Sequence, residues 1–168
     1  MIVYHGATIA IQKPLVNVGR KHLDFGEGFY MTDWPEQAIS WAQRPINAGK
    51  EHILNTYEFD IEGAVSEGYR YKHFIAYDSE WLEFVVANRR GEQIWKAYDI
   101  IEGGMANDRV FNTIELYAAG LTPMEDALKK LRYEKPNNQI CLLRQPMVDK
   151  YLHFIEAKQI EPWTSPRW

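Results

Sequence analysis

The sequence predicts an α+β fold, in which strands and helices alternate along one chain. Residues 53–61 alternate apolar and polar side chains, which is the pattern of a half-buried strand. Residues 110–119 carry apolar side chains at helical spacing and stop at Gly120, and residues 140–143 form a short apolar run that favours another strand. The chain has 168 residues, 46% of them hydrophobic and 14% aromatic, so we expect one domain with a sizeable core.

The first elements are a strand over residues 2–5 and a helix that opens at Asp33. Asp33 is expected to cap the free amides of this helix. Glu36 stands three residues on, as in a capping box with an acid in place of Ser or Thr. Apolar residues recur at helical spacing behind it, and Trp41 among them is interpreted as a core residue. An Arg-Pro pair at residues 44–45 ends the helix.

The rest of the chain continues the alternation, with an expected loop between Gly63 and Gly68. The further elements, in chain order, are a short strand within 71–77, a helix from Asp78 to near Gly91, a strand at 98–101, a helix at 110–119, a helix from a capping box at Thr122 to Lys135-Pro136, a strand at 140–143, a helix from Pro146 and a strand at 154–160. No linker or repeat divides the chain. We therefore expect a single domain over residues 1–161, followed by a loosely ordered tail over residues 162–168.

The stretch around which the chain is organised is residues 24–32, Asp-Phe-Gly-Glu-Gly-Phe-Tyr-Met-Thr. Gly26 and Gly28 allow positive φ and the close approach of another molecule to the backbone. Tyr30, just after this turn, offers a flat face on which a planar ring can stack. The stretch is therefore either the wall of a pocket or a β-hairpin or bulge with core aromatics.

A second motif opens the chain, where a strand ends in His5 and Gly6. A lone histidine at a strand end is more often structural. Together with Gly-x-Gly-Phe-Tyr-x-Thr, however, this motif resembles the first two parts of the ADP-ribosyltransferase site. In that superfamily the histidine contacts the adenosine-side ribose, the next residue's backbone holds the nicotinamide amide, and the tyrosine stacks on nicotinamide. The resemblance implies these roles for His5, Gly6 and Tyr30.

The resemblance covers nearly the whole chain, from about residue 1 to about residue 160. The runs that carry it are Tyr4-His5-Gly6, Gly19-Arg20, Asp24-Phe25-Gly26, Gly28-Phe29-Tyr30, Glu80-Trp81-Leu82 with Phe84-Val85, Asn88-Arg89, Tyr98-Asp99-Ile100, and Asn138-Gln139-Ile140-Cys141. They resemble the bacterial domain-of-unknown-function family 3990, which is grouped with the ADP-ribosyltransferases and often described as toxin-like. This implies an ADP-ribosyltransferase-like split β-sandwich, made of two small sheets flanked by helices.

The third residue of the superfamily site is usually a glutamate that enters a late strand and binds the ribose 2′-hydroxyl. Gln139 takes this place by order and by its Asn-x-strand context, and the related family is similar in having Gln there. A neutral amide can hydrogen-bond the hydroxyl, but it supplies no negative charge and cannot act as a base. We therefore expect single transfer, with deprotonation left to the acceptor itself or to another acid, for which Glu27, Glu102 and Asp108 are the candidates. The alternatives are a site that binds NAD but turns it over poorly, or a purely structural Gln139.

Arg20, Gly28 and Thr32 complete the expected NAD contacts. For Arg20 two interpretations are open. Its guanidinium either contacts the pyrophosphate through forked, charge-assisted hydrogen bonds or forms an ion pair with Asp24 or Glu27.

The function implied by the resemblance is toxin-type mono-ADP-ribosyl transfer from NAD to a protein or nucleic-acid acceptor, with a possible antitoxin protein as partner. The alternatives are a non-catalytic module that binds NAD, ADP-ribose or another protein, and an NAD glycohydrolase. The sequence does not indicate the acceptor, the linkage or the oligomeric state.

Composition and motifs argue against other classes of protein. The net charge of −4 disfavours non-specific binding to long nucleic acids. No apolar run approaches the roughly 20 residues of a membrane helix, and the single Cys141 cannot form an internal disulfide, so a cytoplasmic protein is expected. The phosphate-loop, zinc-protease and serine-hydrolase motifs are missing from the sequence. Its five histidines lack metal-ligand spacing, so no metal is expected.

Overall fold

Two sheets and the helices that flank them make up the computed structural model, which describes residues 1–134 and 137–161. The strands are β1 (Ile2–Ala7), β2 (Phe29–Met31), β3 (Ile53–Phe59), β4 (Tyr71–His73), β5 (Ile100–Gly104), β6 (Asn138–Leu142) and β7 (Leu152–Gln159). The α-helices of these residues are α1 (Pro35–Ala42), α2 (Ile61–Glu67), α3 (Ser79–Arg89), α4 (Asp108–Ala118), α5 (Met124–Leu131) and α6 (Gln145–Tyr151), with short 3₁₀ helices at Pro45–Asn47 and Ile94–Ala97. The predicted α+β class is confirmed.

Both sheets are open, and neither closes into a barrel. The first has the strand order β1-β3-β7 and is antiparallel, whereas the second has the order β2-β6-β5-β4, in which β4 and β5 run parallel. Within the described ranges one backbone bridge joins the sheets. Tyr4 N–H donates to Thr32 O at 2.8 Å, and Thr32 N–H donates to Tyr4 O at 3.0 Å. The two sheets therefore meet at β1 and β2 and separate away from this pair.

The apolar core lies in two layers on opposite faces of the second sheet. The layer between the sheets is built from side chains of both, among them Val3, Tyr57, Phe59, Phe29, Met31, Ile140 and Leu142. The layer between the second sheet and helices α3, α4 and α5 includes Phe25, Trp81, Val85, Ile101, Ile114, Leu131 and Cys141. Because both faces of this sheet are covered, its central strands are apolar without alternation, as the run at residues 140–143 is.

Two of the predicted helix starts differ from those in the structure. α1 begins after Trp34, and the hydroxyl of Thr32, not the Asp33 carboxylate, accepts the Trp34 N–H at 3.1 Å. α5 begins at Met124 after Pro123, and no side chain caps it. Both capping predictions were therefore wrong, because the capping residue is selected by tertiary contacts as well as by local sequence. The start of α3 is confirmed, since the Asp78 carboxylate accepts the Trp81 N–H at 2.9 Å.

The loop expected between Gly63 and Gly68 is a helix in the structure. α2 spans Ile61–Glu67, and the Asp60 side chain accepts the Gly63 N–H at 2.9 Å as its cap. Only Gly68, with φ of +106°, ends it. Gly63 lies close against this cap, since a Cβ added there would lie 2.3 Å from an Asp60 carboxylate oxygen.

Two further expectations fall where the structure gives no description. The helix end at Lys135-Pro136 and the tail at residues 162–168 lie outside the described residues. Within the described ranges, no helix combines the length and the apolar character needed to cross a bilayer.

Candidate active site at the fork between β1 and β2

The structure places His5 where β1 and β2 diverge. Its Nδ1 lies 2.6 Å from the carbonyl oxygen of Tyr30, and its ring centroid lies 4.5 Å from that of Phe29. A carbonyl oxygen only accepts, so Nδ1 carries the proton of this bond. The imidazole therefore bridges two strands that are no longer joined by backbone hydrogen bonds at this level.

The environment of His5 favours its neutral form. Burial lowers the pKa of the imidazole, and the hydrogen bond to the Tyr30 carbonyl opposes this only in part. With the proton on Nδ1, the neutral ring presents Nε2 as a hydrogen-bond acceptor. His5 can therefore accept a hydrogen bond from a ligand hydroxyl at Nε2 while its Nδ1 holds β2.

The lowered pKa of His5 predicts a pH dependence of stability. The unfolded chain takes up this proton near pH 6.5, while the folded chain resists it, so stability falls as the pH drops below about 6.5. The His5→Asn variant should lose less stability between pH 7 and pH 5 than the wild type, because its amide has no proton to gain. Urea unfolding at both pH values tests this, and equal losses in the two proteins would contradict it.

Gly6 follows His5 on β1 and lies along the same edge of the fork. Backbone groups alternate in direction along a strand, so the Gly6 N–H and C=O point to the same edge as those of Tyr4. Tyr4 is paired there with Thr32, whereas no partner for the Gly6 groups occurs in the described part of the chain. By the same alternation, the Tyr30 N–H faces this gap from β2. Unpaired backbone donors and an acceptor thus face one another across the fork.

Helix α1 packs directly on the backbone of Gly6. A Cβ at this position would lie 1.7 Å from the carbonyl oxygen of Ala38, so only glycine fits between the strand and the helix. Trp41 stands one turn further along the same face of α1. The helix therefore forms a wall of the fork.

Tyr30 is half-buried and its hydroxyl is fully used. The hydroxyl donates to Gly26 O at 2.7 Å and accepts the Phe25 N–H at 3.1 Å. Burial raises the pKa of this phenol well above its ordinary value. Tyr30 thereby fixes the glycine turn, and only its ring, not its hydroxyl, is available to a ligand.

Gln139 lies on the same face of the second sheet as Tyr30. Tyr30 pairs with Cys141 across β2 and β6, and Gln139 is two residues before Cys141, so the two are diagonal neighbours at about 7–8 Å. The Gln139 side chain is only 4% exposed, and its Nε2 donates a long bond of 3.5 Å to Gly104 O. Tyr30 and Gln139 therefore share one face of the second sheet, while the His5 ring lies on the Phe29 side of β2.

Trp41 was expected in the core, and this prediction was wrong. The indole is half-buried and belongs to neither apolar layer of the described residues. Its Nε1 donates to the sulfur of Met105, just after β5, at 3.3 Å. Helical spacing indicated correctly which face of α1 is covered, but it cannot tell a core from the wall of a site.

The remaining predicted contacts are less central. Thr32 is fully buried, and its hydroxyl donates to Asn138 O at 2.8 Å. Gly28 lies against Cys141, whose sulfur would be 2.5 Å from a Cβ added at Gly28. Arg20 is exposed and forms no ion pair with Asp24 or Glu27 in the described ranges. Thr32 and Gly28 therefore hold β2 against β6.

The candidate acids are not directed at this region. Glu102 is engaged by the Tyr71 hydroxyl and by the Asn138 amide, the latter at 2.8 Å. Asp108 is exposed at the start of α4, and Glu27 is half-buried in the glycine turn. None of the three contacts His5 or Gln139 among the described hydrogen bonds. No group of three or more metal-ligating side chains occurs in the described ranges either.

Four cavities of the described ranges lie away from the fork. Their volumes are about 420–660 Å³, and His5, Tyr30 and Gln139 line none of them. The contact between Trp41 and Met105 spans from α1 to the end of β5 beside Gln139.

Comparison with protein families gives a match over most of the chain. The family model described as "Protein of unknown function (DUF3990)" matches residues 1–154. No curated protein and no solved structure matches the sequence.

Proposed function

The chain belongs to the DUF3990 family, and we propose that it is an NAD-dependent mono-ADP-ribosyltransferase of the toxin type. The observation that carries this proposal is the fork between β1 and β2, where His5 bridges the strands and the backbone groups of Gly6 have no partner among the residues that the structure describes. Two open sheets joined by one bridge agree with the split β-sandwich of that superfamily. The proposal thus concerns both the fold family and the chemistry.

The residues of the fork fit the nicotinamide half of NAD. A primary carboxamide carries one acceptor and two donors, and the Gly6 N–H and C=O offer the complementary pair on one strand edge. The rings of Tyr30 and Trp41 are both half-buried and can each present a face to a planar ring. This combination of edge and faces would hold nicotinamide still while its bond to ribose breaks.

The other two polar groups would bind the sugars. The Nε2 of His5 would accept a hydrogen bond from a ribose hydroxyl. The amide of Gln139 would orient the ribose on the nicotinamide side. Transfer develops positive charge on the ribosyl carbon, which an amide dipole stabilises less than a carboxylate does. We therefore propose a single transfer, with the acceptor itself losing the proton.

The proposed acceptor is a protein or a nucleic acid, and the proposed partner is an antitoxin that covers the fork. A second candidate function is a non-catalytic module that binds NAD or ADP-ribose, and the buried neutral Gln139 favours it. A third, NAD hydrolysis without an acceptor, uses the same residues.

Labelled NAD separates these functions. The purified chain, incubated with labelled NAD and cell lysate, is expected to label a macromolecule, and His5→Ala and Tyr30→Ala should each reduce labelling about 100-fold, because the nicotinamide riboside is no longer positioned. His153→Ala and Tyr133→Ala, at exposed positions remote from the fork, are matched controls and should label normally.

The other outcomes are equally distinct. NAD binding without transfer supports the module, and nicotinamide release without a labelled macromolecule supports the hydrolase. A chain that does not bind NAD at all contradicts the proposal.

A further inference from the structure

One buried polar atom beside the fork has no hydrogen-bond partner. Gln37 on α1 is 5% exposed. Among the buried side-chain oxygen and nitrogen atoms of the described ranges, its Oε1 has no hydrogen-bond partner. Burying an amide oxygen without a hydrogen bond is unfavourable, and native structures contain few such groups. An apolar side chain of similar size would avoid this cost, so the oxygen calls for an explanation.

The orientation of the Gln37 amide is fixed by its neighbour. Its Nε2 donates to the carbonyl oxygen of Asn138 at 2.9 Å, and Thr32 Oγ1 donates to the same carbonyl at 2.8 Å. Because that carbonyl only accepts, the NH₂ of the amide must face it. The oxygen is therefore directed away from β6, and rotating the amide would not satisfy it.

Gln37 lies between two parts of the candidate site. The next residue, Ala38, is the one that touches the Gly6 backbone, and Asn138, which anchors the amide, directly precedes Gln139. Trp41 is one turn further along α1. The unpartnered oxygen thus sits among the groups that would surround the nicotinamide riboside.

We propose that Gln37 is a ligand-binding residue whose Oε1 accepts a hydrogen bond from an N–H or O–H donor on the nicotinamide-riboside half of NAD. The proposal rests on the proposed function. Two donors on that half have the required chemistry, namely the carboxamide N–H and a ribose hydroxyl. In either case the bond forms only in the complex, so the free protein keeps an unfavourable buried oxygen that the ligand satisfies.

The test compares stability with affinity in the Gln37→Met variant, which removes the amide but keeps the length of the side chain. We expect urea unfolding at the wild-type midpoint or higher, together with about tenfold weaker binding of NAD by calorimetry, as for the loss of one hydrogen bond. Gln43→Met is the matched control, because Gln43 directly follows α1 as its C-cap and its side-chain amide donates outward to Glu161 O at 3.4 Å. It should bind NAD as the wild type does.

Nicotinic acid adenine dinucleotide identifies the donor, since it has no carboxamide N–H. If Gln37→Met does not weaken its binding further, the donor is the carboxamide; if it still weakens binding about tenfold, the donor is the ribose hydroxyl. The side-chain amide resonance of wild-type Gln37, but not that of Gln43, should also shift when NAD is added. This second measurement holds even if the variant does not fold.

Each of the following results would overturn the inference. Unchanged NAD affinity in Gln37→Met, or no shift of the Gln37 resonance on saturation, rejects the inference and leaves the proposed function intact. A lower unfolding midpoint with unchanged affinity assigns the oxygen to a structural water. Wild-type protein that does not bind NAD rejects both the inference and the proposed function.

Discussion

The Gly6→Ala variant is expected to lose more than about 3 kcal/mol of folding free energy, a large share of the 5–15 kcal/mol typical of a domain. The added Cβ would lie 1.7 Å from the Ala38 carbonyl oxygen and 2.9 Å from the Ala42 nitrogen. Both are backbone atoms of α1, so no side-chain rotation relieves the overlap. The helix must move away from β1, and the fork must open with it.

The matched control for this prediction is Gly19→Ala. The nearest atom to a Cβ there is Gly28 O at 3.6 Å, which is an ordinary contact, and Gly19 does not have positive φ. Urea unfolding followed by circular dichroism should show a much lower midpoint for Gly6→Ala and a wild-type midpoint for Gly19→Ala. Similar midpoints for the two variants would show that α1 does not pack on β1 as described.

The parts of the fold that could be predicted from sequence are those with a local physical signal. The run at residues 140–143 is apolar because β6 is covered on both faces, and Asp78 marks the start of α3 because its carboxylate caps it. The separation of β1 and β2 has no such signal. The strands separate where the His5 ring, and not a backbone N–H, donates a hydrogen bond to the Tyr30 carbonyl. A sequence does not show which donor a carbonyl will find.

The candidate site also contains residues that the sequence indicated and one residue that it did not. The resemblance indicated His5, Gly6, Tyr30 and Gln139. The structure places His5 and Gly6 at the fork, and Tyr30 and Gln139 on one face of the second sheet. Their roles toward NAD stay predictions. Gln37 was missed because its importance lies in an absent hydrogen bond, which only the packing of α1 on β6 reveals.

Two interpretations of Arg20 were open, a contact to the pyrophosphate and an ion pair with Asp24 or Glu27. The structure bears on the ion pair. Arg89 pairs with Asp24 at 2.7 Å, so Asp24 is not left for Arg20. Arg20 instead lies near Arg44, whose pKa is lowered by burial and by this like charge. The contact to a pyrophosphate stays a prediction.

The Gln139→Glu variant is expected to transfer ADP-ribose about tenfold or more faster than the wild type at alkaline pH. A carboxylate beside the ribosyl carbon would stabilise the developing positive charge, and 1.36 kcal/mol corresponds to each factor of about ten. Since the side chain at this position is 4% exposed, burial would raise the pKa of the new carboxyl. The gain should therefore grow from pH 6 to pH 9 as the carboxyl ionises.

The same substitution should cost stability, by about 1–3 kcal/mol, because the carboxylate cannot donate to Gly104 O and leaves two acceptors in contact. Gln139→Met is the control. It removes both the dipole and the donor, so it should transfer more slowly than the wild type at every pH. Initial rates of nicotinamide release, measured with saturating NAD on folded protein, distinguish the three proteins.

A folded Gln139→Glu variant that is slower than the wild type across this pH range would mean that position 139 does not face the reacting carbon. The chain would then hold NAD, if it binds it, in another orientation. A faster variant would show instead that the neutral amide limits the rate. In that case the glutamine makes the protein more stable but slower. At the start of β6 it donates to Gly104 O, which a carboxylate cannot do.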